Sequence, residues 1–225
     1  YIIKERLRRG IGELQLGELG DPEAAIGTVE EILRNDRSKG KRLTEESGLL
    51  EVNALMAMSR FEEAHASAEG LLSTRLHEDI EQRASYARAF SSFLAHERRR
   101  ALEEFREMVE ADLTGSLVND ALRVMLVIAE AEEELGAGPV TLLADAHSAF
   151  LRGERSEGYA KLSEIAASYE GSAVATEGLL LLGAFAASEG DYQRALATYE
   201  RVLDESGSLT AKAEVLMRSG DILIN

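Results

Sequence analysis

The sequence has no cysteine among its 225 residues, which excludes disulfides, thiolate metal sites and a cysteine nucleophile. That absence fits cytoplasm and periplasm equally. Tryptophan is also missing and aromatics make up 5% of the chain, fewer than a compact β-sandwich usually needs. Prolines number two, Pro22 and Pro139. No stretch reaches the roughly 18 uninterrupted apolar residues of a membrane-spanning helix. Positive charge is in deficit, with 25 Lys and Arg against 41 Asp and Glu and a net charge of −16. Binding of phosphate backbones or anionic membrane surfaces needs a basic face, so nucleic acid and direct membrane insertion are not expected. An acidic surface suits solubility or a basic partner.

What is abundant is Ala, Leu and Glu, the strong helix formers, within a 45% hydrophobic composition. The clearest helical pattern lies between Asp191 and Glu205. Its apolar residues Ala195, Leu196, Tyr199, Val202 and Leu203 fall at offsets 0, 1, 4, 7 and 8, one face of an α-helix. The same offsets recur at Ala25, Ile26, Val29, Ile32, Leu33, and at Ala64, His65, Ala68, Leu71, Leu72. They recur again at Ala101, Leu102, Phe105, Met108, Val109, and at Gly158, Tyr159, Leu162, Ile165, Ala166. The spacings between the leading small residues are 39, 37, 57 and 37. A period in the high thirties is the length of two short helices and two turns.

Punctuation follows the same rhythm. Gly115-Ser116, Gly171-Ser172 and Gly207-Ser208 each follow one of these helices, offering a left-handed terminator and a cap for the next helix. Their spacings, 56 and 36, track 57 and 37, so both series carry an excess of about 20 residues, one additional helix. Gly20-Asp21-Pro22 and Gly190-Asp191 mark inner turns. Ser59 with Glu62 has the form of a capping box.

The expected architecture is all-α, with about twelve helices in stacked antiparallel pairs. The pairs are 1–34, 42–73, 76–112, 139–169 and 174–205. An extra helix covers 117–135 and a half repeat covers 209–224. The apolar runs Leu122 to Ala129 and Leu179 to Ala187 predict helices covered on most sides. The longest turn, Asn35 to Arg42, is polar and basic. The chain opens at Tyr1 and closes at Asn225 inside helical patterns, so it reads as an excerpt of a longer protein organised as a single repeat array.

Residues 176–209 resemble the tetratricopeptide repeat (TPR). Leu182-Gly183 is followed by Gly190-Asp191-Tyr192, Ala195, Tyr199 and Val202. Gly183, Ala195 and Tyr199 match the family's small and aromatic residues at the close helix–helix contact. Ala64, and Ala101 with Phe105, match less completely, and Val52 and Ala89 stand where the family has Gly. Tyr169-Glu170-Gly171-Ser172-Ala173 is similar to the inter-repeat turn of bacterial envelope-associated members, with Glu170 in place of Pro. The resemblance implies a right-handed α-solenoid whose first helices line a concave groove for a protein or peptide partner. It also implies a non-enzymatic scaffold of bacterial type, with some lean toward the cell envelope.

On those first helices the polar residues Asn53, Arg83, Arg88, Asn119 and Arg123 are the candidate partner-binding groups. Arg88 and Arg123 are suited to carboxylates. Leu216, Ile222 and Leu223 on the final helix call for a cover, either a further repeat or a second copy of the chain. A structural or oligomerisation role in a large assembly, such as one of the cell envelope, is therefore the competing expectation.

No catalytic motif accompanies the repeats. His65, His77, His96 and His147 include no i, i+4 pair and no HExxH, so no metal or cofactor is expected. His65 lies on an apolar stripe and reads as core packing or a single hydrogen bond. His77-Glu78-Asp79 reads as an acidic helix start. Lys39-Gly40-Lys41-Arg42 lacks the upstream Gly of a phosphate loop, because Asn35 stands there. Arg98-Arg99-Arg100 reads as a solvated face balanced by Glu103, Glu104 and Glu107. Glu130 and Glu132 to Glu134 form an acidic helix end without a calcium loop.

Overall fold

The computed structural model describes residues 2–17, 20–34 and 41–224, so most of the polar turn expected from Asn35 to Arg42 lies outside the described residues. Among the described residues there are twelve α-helices and no strand. They are α1 (Ile2–Gly17), α2 (Pro22–Arg34), α3 (Lys41–Ala57), α4 (Phe61–Leu72), α5 (Glu78–Leu94) and α6 (Arg98–Ala111). Then follow α7 (Val118–Glu130), α8 (Gly138–Leu151), α9 (Arg155–Ser168), α10 (Ala173–Ser188), α11 (Tyr192–Glu205) and α12 (Leu209–Ile224). A π-helical turn, Ala131–Leu135, extends α7.

Packing divides the chain into two compact units. One comprises Tyr1–Leu122 with Leu151–Gly153, and the other comprises Arg123–Phe150 with Glu154–Asn225. In the first unit each helix from α1 to α6 packs on the next, and the first helices of successive pairs, α1, α3 and α5, also touch one another. In the second unit α9, α10, α11 and α12 pack in sequence, and α10 touches α12 in the same way. The helix pair is thus the unit of construction, because one pair cannot cover its own apolar face.

A left-handed residue stands at each inner turn: Gly20 (φ 61°), Ser59 (57°), His96 (63°), Gly153 (77°) and Gly190 (79°). Each leading small residue lies five positions further on, so the two series share the spacings 39, 37, 57 and 37. At four of these turns the next amide closes onto the carbonyl five residues back. The bonds are Arg60 to Leu55 (2.9 Å), Glu97 to Ser92 (2.9 Å), Glu154 to Ala149 (2.8 Å) and Asp191 to Ala186 (2.9 Å). This is the hydrogen-bond pattern that ends a helix through a left-handed residue. Asp21 and Asp191 then cap the second helix, accepting from Ala24 N (2.9 Å) and Arg194 N (3.1 Å).

Several local expectations are corrected. Ser59 makes no capping box with Glu62. It is itself the left-handed residue, and the cap position of α4 falls to Arg60, which has no side-chain cap bond. Of the three Gly-Ser pairs only Gly171 is left-handed (φ 82°). Ser172 and Ser208 do cap, accepting from Ala175 N and Ala211 N at 3.2 Å, whereas Ser116 donates instead to Gln82 Oε1 at 2.9 Å. The two apolar runs also differ. In α10, Leu179, Leu180, Leu182, Gly183 and Ala186 are buried, while α7 leaves Leu122 and Leu126 exposed at 44% and 57%.

The small residues do what their positions require. Ala25, Ala64, Ala101 and Ala195 are fully buried, and Gly158 is buried with them. A Cβ on Gly183 would lie 2.2 Å from Tyr199 Cε1, and one on Gly158 would lie 2.5 Å from Phe150 Cε2. Phe150 in turn stacks on Phe185 at 3.6 Å between ring centroids and meets the edge of Tyr159. Gly183→Ala should therefore destabilise the second unit by about 1–3 kcal/mol through overpacking, measured as a lower urea midpoint at unchanged slope.

Candidate functional site

On α3, Glu46, Leu49, Leu50 and Asn53 recur at helical spacing and so share one face. They line a cleft of about 250 Å³ with Arg9, Glu13, Leu16 and Gly17 of α1 and Arg83 of α5. All three are first helices of their pairs. Glu46 and Arg83 each stand thirteen residues ahead of the left-handed residue of their pair, Ser59 and His96. The cleft's charges are partly spent. Arg9 pairs with Glu46, and also with Glu13 at 3.6 Å. Arg42 bonds Glu46 at 3.0 Å and Asp79 at 2.6 Å. Asn53 is half-buried and Arg83 exposed, and neither side chain is engaged in a hydrogen bond or ion pair among the described residues.

The other expected groups are placed elsewhere. Arg88 turns from its first helix toward α6, where it pairs with Glu107 (2.8 Å) and lies 3.8 Å from Glu104. It belongs to a polar cluster joining α4, α5 and α6. His65, 5% exposed, donates from Nε2 to Glu104 Oε1 (2.6 Å) and accepts at Nδ1 from Arg100 Nη2 (2.8 Å), a tautomer assigned from the network. Ser92 donates to the second Glu104 oxygen at 2.7 Å. Burial pushes the Glu104 carboxyl up, but the hydrogen bonds from His65 and Ser92 and the nearby Arg88 charge outweigh it, and its pKa is lowered. Asn119 is exposed on the first turn of α7.

Arg123 enters a second cleft, of about 240 Å³, formed by α7, α10 and α12. Its guanidinium lies 2.6 Å from Glu214 and 3.2 Å from Glu177. Glu177 is nearly buried, at 8% side-chain exposure. Leu126, Val127, Leu180 and Ala211 supply apolar walls, and Ser172, Thr176 and Ser206 supply hydroxyls. Glu130 accepts a 2.6 Å hydrogen bond from Ala173 N at the start of α10.

Glu177, Glu214, Glu46 and Arg9 were not among the residues singled out from sequence. A signal for two of them was present, since Glu177 also stands thirteen residues ahead of its left-handed Gly190, the rank held by Glu46 and Arg83. The remaining histidines are placed individually. His77 bonds the buried Glu45, His96 is a turn residue, and His147 lies on α8. Asp79 is spent on Arg42, and Arg100 bonds Glu97 at 2.6 Å rather than only the glutamates that follow it. No group of three or more His, Asp and Glu is arranged to hold a metal ion among the described residues.

Two measurements follow from these charges. Glu104→Ala leaves His65, Arg88 and Arg100 around an uncompensated site, and should cost about 3 kcal/mol of stability by denaturant unfolding. His147 keeps part of its surface exposed, yet its ring is packed so that burial lowers its pKa from 6.5 to about 4. The unfolded chain then binds the proton more readily, so this contribution is complete above pH 6.5 and is lost as pH falls toward 4. The His147 ring should titrate near pH 4 by NMR, with thermal stability falling across the same window.

No protein-family model matches the chain, and no curated protein is significantly similar to it.

Proposed function

We propose that this chain is a non-enzymatic interaction scaffold of the tetratricopeptide type, which holds a protein or peptide segment on the first-helix faces of its helix pairs. The observation that carries this reading is the cleft over α1, α3 and α5. There a mainly polar and charged lining covers the nearly buried Leu49 and Leu50, and Asn53 and Arg83 make no side-chain hydrogen bond or ion pair among the described residues. Polar side chains left without partners in a cleft can anchor a partner's polar groups and fix its register. The net charge of −16 favours a partner with basic segments around whatever group Arg83 engages.

A second reading, a structural or oligomerising subunit of a larger assembly such as one of the cell envelope, is favoured by α12. Leu209, Leu216, Met217, Leu223 and Ile224 are 83%, 59%, 73%, 74% and 86% exposed on it. Apolar area of that extent on one helix is the mark of an interaction face.

One experiment separates the two readings. Photo-crosslinking residues are placed at Asn53 and at Leu216 of the full protein in its native cell, and Arg83→Glu is made in parallel. The scaffold reading expects a defined partner crosslinked at Asn53, with retention reduced at least about tenfold by Arg83→Glu, since reversing an anchor charge typically costs 1.4 kcal/mol or more. Crosslinks at Leu216 alone, with Arg83→Glu silent, would transfer the conclusion to the assembly reading.

A further inference from the structure

The helix that interrupts the repeat spacing does not lie apart from the first-helix face of the second unit. It sits on it. Arg123 and Glu130 are two turns apart on α7, and each anchors to the other wall. Arg123 is held between Glu177 of α10 and Glu214 of α12, at 3.2 and 2.6 Å. Glu130 accepts from the free amide of Ala173 at the α10 N-terminus, at 2.6 Å. Val127, one turn from each anchor, is 2% exposed. The arrangement resembles a bound ligand helix, with charged contacts at both ends and an apolar residue between them.

Three features separate this contact from ordinary core packing. Glu177 occupies the rank that in the first unit is held by Glu46 and Arg83, which line an open cleft. The same kind of position is thus open in one unit and covered by an element of the chain itself in the other. A cleft of about 240 Å³ that opens to solvent persists beside α7. And Leu126, which lines that cleft, stays 57% exposed, while the core stripe of α7, Ala121, Val124 and Ile128, is buried on another side of the helix.

We propose that the second half of α7 is a built-in occupant of the α10–α12 face, and that the external ligand of this face is an amphipathic helix that sets an arginine or lysine between Glu177 and Glu214 in place of Arg123. This rests on the reading of first-helix faces as binding surfaces. The two carboxylates fix the ligand's chemistry. Glu177 is almost buried, and a buried carboxylate needs a cation in contact whichever helix supplies it. Glu214 is also held by Arg218 at 2.6 Å, which orients it toward the same point. Leu180 and Ala211 ask for apolar residues one turn beyond the cation, the spacing by which Val127 follows Arg123. Ligand affinity is then reduced by the fraction of molecules in which α7 has left the face, so anything that loosens α7 tightens ligand binding.

The test uses the whole chain and a labelled synthetic peptide of residues 118–131. Arg123→Glu places a third carboxylate between Glu177 and Glu214. Amide exchange of residues 123–131 should accelerate at least about tenfold while α10 and α11 keep their protection. The peptide should bind this variant at least about tenfold more tightly than it binds the unaltered chain, and a peptide carrying the same substitution should not bind. The charge swap Arg123→Glu with Glu214→Arg should restore slow exchange and exclude the peptide again. Where Arg123→Glu unfolds the unit, Glu214→Gln is the milder variant and is read in the same way. Unchanged exchange over 123–131 would show that the clamp does not hold α7. Faster exchange without peptide binding would show that the face is no ligand site. Because Arg83→Glu reports on the first unit and this peptide on the second, either conclusion can fail alone.

Discussion

Two helices of about four turns each can be laid side by side only if the chain reverses sharply and the facing surfaces approach closely. In this protein both conditions are met at a fixed distance. A left-handed residue ends the first helix, and five residues later a small, buried residue lets the second helix approach. The conformation is easy for Gly20, Gly153 and Gly190, but Ser59 and His96 adopt it at a cost of roughly 1–2 kcal/mol each. Those two turns are therefore imposed by the packing on either side of them. Gly183 against Tyr199 and Gly158 against Phe150 show how narrow the tolerance is, since a single methyl group would fall inside contact distance.

The same constraint sorts the charged residues. With the pair contact reserved for small and apolar side chains, polar groups are pushed to the first-helix faces or to clusters where a first helix meets two second helices. The His65, Ser92, Arg88, Arg100 and Glu104 cluster is of the latter kind. Each member needs another, and the depressed Glu104 pKa is the sum of those bonds against the cost of burial. A packed apolar cluster of the same size would be comparably stable, whereas removing one member alone leaves its buried partners without their counter-charge.

The helices, their number and their pairing were legible because they follow from apolar spacing and from the recurrence of a small residue, which are properties of local sequence. The terminators were read less well. Gly115 and Gly207 carry the expected residue but not the left-handed backbone, while Ser59 and His96 carry that backbone without glycine. Turn conformation is set by how the flanking helices pack, and a dipeptide does not encode that. The candidate binding residues divide on the same ground. Asn53 and Arg83 converge on one cleft because both lie on the exposed side of first helices. Arg88 lies on a first helix too, but five residues beyond Arg83 it has rotated toward α6 and its glutamates. The partners of Arg123, 54 and 91 positions away at Glu177 and Glu214, were out of reach of any local pattern.

The extra helix shows what a break in a repeat can mean. An insertion of about 20 residues was visible as an interval of 57 where 37 was due, yet the interval says nothing of where the helix goes. In the structure it buries the stripe Ala121, Val124 and Ile128, and sets Arg123 against Glu177 and Glu214. One rank of the first helices carries Glu46, Arg83 and Glu177, three residues of unlike environment. Glu46 is neutralised by Arg9 and Arg42, Arg83 is open, and Glu177 is nearly buried against Arg123. A fold built on one repeated contact can therefore vary its charge at a single rank without touching the contact itself. The leading small residues that hold the pairs together lie on the second helices and the charges of this rank on the first, so each can change while the other is kept.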